Sequence, residues 1–483
     1  MDYEAVIGLE VHLELKTRSK IFCGCSTAFG MEPNSSCCPV CLGLPGSLPV
    51  LNRSALEMAV KAALALSCRV EGRSRFDRKN YFYPDLPKAY QISQYELPVA
   101  RGGYLEIDLP GGIKRVNIER VHMEEEAGKL LHAGGSIMES DYSLVDYNRA
   151  GIPLLEIVTA PNISSGKEAR LFLEELRLLL FYCDVSDCRM EEGSLRCDAN
   201  ISLNLPGAAM GNKVEVKNMN SFRAVEYALD YEAQRQAEIL SRAGEIVQET
   251  RHWDEENRVT VSLRGKEEAS DYRYFPEPDL PPLLIEESWV QELKEALPEL
   301  PAHKRLRFEE QYRLDPKDVA VLTSSPELAC FYEEAARHVE DYTGLANWVK
   351  GDVLRIHNDS GKAIGEMTPL ALAETISLLE RGEISRPVAR EVLEEALVRG
   401  KNPAQVVQDR GLGRIADPGT LGPLIEKVLQ ENPKAVESYL QGKEKALGFL
   451  VGKVMAATRG RSDPAAVNTI LRDKLQNLPG KVE

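Results

Sequence analysis

Residues 194–205 read SLRCDANISLNL. Leu195, Cys197, Ala199, Ile201, Leu203 and Leu205 fall on one face of this stretch; Ser194, Arg196, Asp198, Asn200, Ser202 and Asn204 fall on the other. A period of two is that of a strand with one face in a core. The polar face is then free to carry chemistry. The same alternation runs from Tyr3 through Ala5, Ile7, Leu9, Val11 and Leu13 to Leu15, and briefly around Val214 and Val216. Residues 55–66, 167–180 and 222–240 show helical spacing instead. Strands interrupted by helices, with one wet sheet face, predict an α+β domain on a mixed sheet.

The proline cluster from Phe275 to Pro282 suits neither a central strand nor a helix interior, and it marks the end of that domain. Beyond it helical spacing dominates, with a division near Lys401 to Pro403. The expected organisation is an α+β domain over residues 1–292, an all-α helical domain over 293–403 and a small helical tail domain over 404–483.

The chain has 483 residues and a net charge of −16, so its whole surface is unsuited to gripping nucleic acid. Any such contact must come from a local basic region. Between Lys434 and Lys474 eight bases (Lys434, Lys443, Lys445, Lys453, Arg459, Arg461, Arg472, Lys474) stand against four acids. That excess suits RNA phosphates, and a solvated helical face is the plainer alternative. No apolar run of about 18 residues predicts a membrane span. The opening MDYEAVIGLEVHLEL lacks the basic cap and apolar core of a secretory signal, so a cytoplasmic protein is expected.

Ten cysteines are too sparse for a disulfide scaffold, but five crowd into residues 23–41. Cys23, Cys25, Cys38 and Cys41 form two short chelating pairs separated by a loop, the pattern of a structural zinc with four thiolates. Cys37 could stand in for Cys38, though only Cys38 keeps the two-residue gap to Cys41. Free buried thiols or a redox pair are the competing reading.

Glu10, His12 and Glu14 share the polar face of the first strand, with same-face residues about 6–7 Å apart. Carboxylates so placed suit a hard cation that keeps waters and takes phosphate oxygens, and a charged solvent face is the bland alternative. A second acidic run is Glu124-Glu125-Glu126, after His122. Val116 and Ile118 occupy even positions and Val121 and Met123 odd ones, so the parity slips; which glutamate faces the first strand is left open. In a third cluster Glu192 precedes Arg196 and Asp198, an arginine for phosphate and an acid for metal. Arg75, Arg78, Lys79 and Lys88 interleave with Phe76, Tyr81, Phe82 and Tyr83, which suits the 3′ end of an RNA or a solvated loop. The P-loop pattern is absent, so any ATP would depend on carboxylate-held metal.

These motifs together resemble the B subunits of aspartyl/glutamyl-tRNA amidotransferases. The resemblance is carried by GLEVH (8–12), CPVCLGLPG (38–46), RKNYFYPDLPK (78–88), EEGSLRCDAN (191–200), DYRYFPEPDL (271–280), NPKAV (432–436) and GKVM (452–455), in the same order from end to end. It implies a glutamine-synthetase-like first domain that activates the side-chain carboxylate of misacylated Glu-tRNA(Gln) or Asp-tRNA(Asn) with ATP and Mg²⁺, as an acyl phosphate. An amidase-type A subunit would supply ammonia through a tunnel, and a small C subunit would complete a heterotrimer. It further implies a magnesium site from Glu10, His12 and Glu125, with Glu192, Asp198 and Arg196 around the nucleotide. Lys79 and Lys88 would line the ammonia path and kinase pocket, the four cysteines would hold a non-catalytic zinc, and the helical parts would hold the tRNA body. No amidase or glutaminase signature is present, so ammonia must come from a partner. A binding-only subunit, a zinc-dependent RNA scaffold and a stand-alone ligase are the competing classes.

Overall fold

The computed structural model describes residues 3–132, 141–265, 271–415, 417–458 and 460–477. The chain divides into two compact units, Met1–Pro301 and Ala302–Glu483.

The first unit is built on β1 (Glu4–Glu14), β2 (Gly112–Glu125), β3 (Pro153–Thr159), β4 (Leu195–Asn204), β5 (Val214–Lys217), β6 (Glu249–Asp254) and β7 (Val259–Gly265). They lie in the order β7-β6-β5-β4-β1-β3-β2, and the short strands Ala100–Arg101 and Arg69–Val70 extend the β2 edge. Neighbours are antiparallel except β5 and β6, so the sheet is mixed. Leu9, Val11, Leu13, Val121, Leu155, Ile157, Cys197 and Ala199 point to one face and enter a single core. Burying each such leucine contributes about 1.5–3 kcal/mol relative to leaving it in water. Their alternate neighbours, Glu10, His12, Glu156 and Asp198 among them, line the other face.

Among the helices that contribute to the same core are α1 (Arg53–Ala65), α2 (Gly166–Tyr182) and α3 (Phe222–Ser241). Their starts are capped by Asn52, Ser165 and Ser221, whose side-chain oxygens accept from Ser54 N, Glu168 N and Ala224 N. The slipped parity around residue 119 is a β-bulge. Val158 pairs with Arg120 but Thr159 pairs with Ile118, leaving Glu119 as the extra residue.

The proline-rich segment folds back onto the first unit instead of leaving it. Phe275–Pro276 pairs with Asp77–Arg78, Leu283–Leu284 pairs with Arg73–Ser74, and the buried Glu277 takes Arg78 in two hydrogen bonds of 2.7 and 2.8 Å. The second unit is helical and carries two cores, one from Phe308 to Val406 and one from Leu421 to Leu475. Its helices are punctuated by proline at the first turn behind an Asp, Ser or Asn cap, as at Asp315-Pro316, Ser325-Pro326, Asn402-Pro403 and Asp463-Pro464. Among the described residues, no helix is long and apolar enough to cross a membrane.

Candidate active site

The polar sheet face is organised in rows by strand register. His12 on β1 stands opposite Glu156 on β3 and Arg196 on β4, and Glu156 stands opposite His122 on β2. One step along, Glu10 stands opposite Val158 and Asp198. One step the other way, Glu124 joins the face beside Leu154. Ligand atoms of His12, Glu124 and Glu156 all lie within 4.8 Å of one another. His12 Nε2 is 3.2 Å from Glu156 Oε2 and 3.6 Å from Glu124 Oε1, and His122 Nε2 is 2.9 Å from Glu156 Oε2.

The expected trio of Glu10, His12 and Glu125 is not the set that converges. Strand alternation puts Glu124, not Glu125, on the face with His12. Glu125 turns to the buried Lys88, 2.5 Å away, and accepts from Ile92 N at 2.8 Å. Glu10 accepts from Asn200 Nδ2 at 3.1 Å and stands one strand repeat, about 6–7 Å, from His12.

Two carboxylates this close stay ionised together only with positive charge beside them. Burial disfavours a charged His12, but the Glu156 hydrogen bond and the charges of Glu124, Glu156 and Asp198 outweigh it and lift the imidazole to about 9. Burial likewise opposes ionisation of Glu156, yet His122 and His12 hold it well below the usual carboxylate range. His122 Nδ1 is buried without a hydrogen-bond partner among the described residues. His12, Glu124 and Glu156 together offer one imidazole nitrogen and two carboxylate oxygens, a donor set that fits a divalent cation once the ion displaces the His12 proton.

Residues 5–291 match the family model "GatB/GatE catalytic domain", and residues 330–475 match "GatB domain". The chain is 57% identical over 480 residues (99% of it, 100% of the relative) to the B subunit of aspartyl/glutamyl-tRNA(Asn/Gln) amidotransferase from Carboxydothermus hydrogenoformans. It is 54% identical over 478 residues (98% and 100%) to the B chain of the same name from Caldanaerobacter subterraneus, and 50% over 480 residues (99% and 100%) to that from Thermotoga petrophila. The chain belongs to the GatB family.

Other polar groups flank the GatB-family cluster. Arg196 pairs with Glu126, which also holds Arg149 at 3.1 Å; Arg149 reaches Glu14 at 3.0 Å. Asp198 is taken by Lys217 at 2.6 Å, and Glu192 sits on the rim with Arg189 at 2.6 Å. Lys79 lies over the rings of Tyr272 and Tyr81, 4.9 and 5.7 Å from their centroids. Burial and the nearby Glu124 push the Tyr81 and Tyr274 phenols up. A cavity of about 320 Å³ opens at Glu10, lined by Val6, Pro161, Met210, Arg120 and Lys213. A second, of about 380 Å³, opens at Glu14, with Arg149, Lys129 and Glu192 in its wall.

The sequence reading singled out His122 and the run Glu124-Glu125-Glu126 without deciding which glutamate faces β1, and it missed Glu156, Arg149 and Lys217 as site residues. Glu156 did carry a signal: it is the single acid in the apolar strand PLLEIVT (153–159).

Cys23, Cys25, Cys38 and Cys41 form a second converging group, with sulfurs within 4.8 Å. The Cys38 and Cys41 sulfurs are 3.9 Å apart, close to the ~3.8 Å edge of a zinc tetrahedron with ~2.3 Å bonds. Cys37 lies outside the group, its Sγ 3.9 Å from Asn148 Oδ1. The Cys23 thiol, the Cys38 N–H and the Lys20 ammonium lower Cys41 against the effect of burial. Lys20, fully buried, reaches Cys41 Sγ at 3.6 Å and Ser36 O at 2.8 Å. Four converging thiols beside a buried cation fit a closed, structural zinc site.

Proposed function

We propose that this chain is the subunit that activates the side-chain carboxylate of misacylated Glu-tRNA(Gln) or Asp-tRNA(Asn) with ATP, so that ammonia can convert it to the amide. What carries this reading is the His12–Glu124–Glu156 cluster standing between two cavities on the polar sheet face. His12, Glu124 and Glu156 would hold Mg²⁺. When bound, that ion neutralises charge on the phosphates and on the accepting carboxylate.

The nucleotide belongs in the Glu10 cavity, where Val6 and Met210 offer apolar surface to a base and Arg120 and Lys213 offer charge to phosphates. The lack of a P-loop agrees with nucleotide binding on an open sheet, as the glutamine-synthetase-like fold implied by the resemblance would have it. Lys217 neutralises Asp198 and leaves it to orient, not to ligate. Arg196 is held by Glu126 beside His12 and can meet the charge that develops on a transferred phosphoryl group. Lys88, paired to Glu125, and Lys79, on its aromatic bed, would guide ammonia to the acyl phosphate.

An amidase-type A subunit would supply the ammonia and a small C subunit would complete a cytoplasmic heterotrimer. Zinc on the four cysteines would be structural. The two helical cores, one ending at Val406 and the other beginning at Leu421, would hold the tRNA body. Arg459, one of the eight tail bases, lies outside the described residues.

The test is amidation of Glu-tRNA and Asp-tRNA by the reconstituted complex. Glu124→Gln and Glu156→Gln should each abolish ATP-dependent amidation while the partner still hydrolyses glutamine. Full amidation by both variants refutes the assignment.

A further inference from the structure

We infer that the Glu14 cavity is the aminoacyl subsite, and that Arg149 in its wall clamps the side-chain carboxylate of the esterified aspartate or glutamate. The inference rests on the reading under Proposed function and names the residue that would read the substrate's charge.

Arg149 uses only Nη2 for its two carboxylate partners, Glu14 at 3.0 Å and Glu126 at 3.1 Å. Among the described residues its Nε and Nη1 make no hydrogen bond. Gly193, at φ +76, lies beside the guanidinium, where a Cβ would stand 3.8 Å from Nη1. Arg149 lines a cavity of about 380 Å³, roomy enough for an amino-acid ester. A guanidinium fork with two free donors matches a carboxylate.

The composition of the wall favours an amino acid over a phosphate. Lys129 and Arg149 are matched against Glu14, Asp146, Glu191 and Glu192. Four acids around two bases repel a polyanion. They suit a ligand with an ammonium group and one carboxylate, which is what an esterified acidic amino acid presents. Phe29 lies in the same wall, 83% exposed, and offers a ring face to the terminal base of an RNA. The subsite also adjoins the cation cluster. Glu14 is one strand repeat from His12, and Glu126 links Arg149 to Arg196, the register partner of His12.

A clamp that reads charge has a consequence for turnover. Once the carboxylate becomes an amide, the charge-assisted bonds to Arg149 weaken and the product is released. An Arg149 that merely braces the sheet would show no such discrimination.

The experiment uses the reconstituted complex and two small probes, the α-methyl esters of glutamate and of glutamine, as inhibitors of Glu-tRNA amidation. In the wild type the glutamate ester should compete with aminoacyl-tRNA, not with ATP, and should inhibit about 10- to 100-fold better than the glutamine ester. In Arg149→Met that preference should fall to near unity and the KM for Glu-tRNA should rise by a similar factor, with the KM for ATP within about twofold. Arg149→Lys should recover part of the preference. Equal inhibition by the two esters in the wild type overturns the clamp, without recourse to any variant. An undiminished preference in Arg149→Met, or a KM for ATP that rises in proportion, also overturns it. If the wild-type complex amidates without ATP, the parent reading fails, and the clamp with it.

Discussion

Glu124→Gln and Glu125→Gln remove carboxylates from adjacent positions, and the structure separates their effects. Glu125 is buried with Lys88; side-chain exposures are 4% and 8% and the ion pair is 2.5 Å long. Removing one partner of such a pair leaves an uncompensated buried charge and costs about 3–5 kcal/mol. The glutamine oxygen can still accept from Ile92 N, which Glu125 holds at 2.8 Å, so the loss in Glu125→Gln falls near about 3 kcal/mol. Lys88→Met strands the carboxylate instead and should cost as much. The double variant buries two neutral side chains and should recover most of the loss. Urea midpoints of the three variants measure the coupling. Mn²⁺ binding, followed in the same samples, supplies the contrast. Glu124→Gln should lose the cation at little cost to stability, and Glu125→Gln should lose stability and keep the cation. The reasoning is refuted if Glu125→Gln abolishes cation binding with an unchanged urea midpoint, or if the double variant is as unstable as the sum of the singles.

Without a cation, His12 titrates at about 9 against an ordinary 6.5, so the stabilisation from its proton is complete below pH 6.5 and is lost as pH rises through 9. The ring resonance of His12 in chelator-treated protein should move at about pH 9, and at a lower pH in Glu156→Gln, which removes the hydrogen bond and one of the carboxylate charges. Cys41→Ser should abolish zinc retention and Lys20→Met should weaken it by about 10- to 100-fold, read by metal analysis against a chelator series. In the tail, Lys453 is exposed beside Phe449, 5.3 Å from the ring centroid. Lys453→Ala should lower the slope of log affinity for tRNA against log salt by about 1.

Much of this was legible in the chain. The alternation at residues 194–205 and at Tyr3–Leu15 identified both faces of the sheet, with Leu195, Cys197, Ala199, Ile201 and Leu203 buried as expected and Leu205, just past the strand end, exposed. The cysteine spacing singled out the four sulfurs that converge and left Cys37 aside. The cation cluster was harder. Glu156 and His12 are 144 residues apart, and only strand register brings them together. The parity slip at Val116–Met123 was visible, but without the partner strand nothing said that Glu119 was the bulged residue, and Glu124 could not be told from Glu125. Arg149, which lies outside any strand, left no periodic trace. The proline cluster keeps out of a sheet interior, as its sequence requires, but proline is compatible with an edge pair, and Phe275–Pro276 is such a pair.

Anomalous diffraction from crystals soaked in Mn²⁺, with an ATP analogue that cannot be hydrolysed, tests the site most directly. One peak should lie within about 2–2.6 Å of atoms from His12, Glu124 and Glu156, with the base in the Glu10 cavity. A peak coordinated by Glu125, or no peak on this sheet face while the nucleotide is bound, contradicts it.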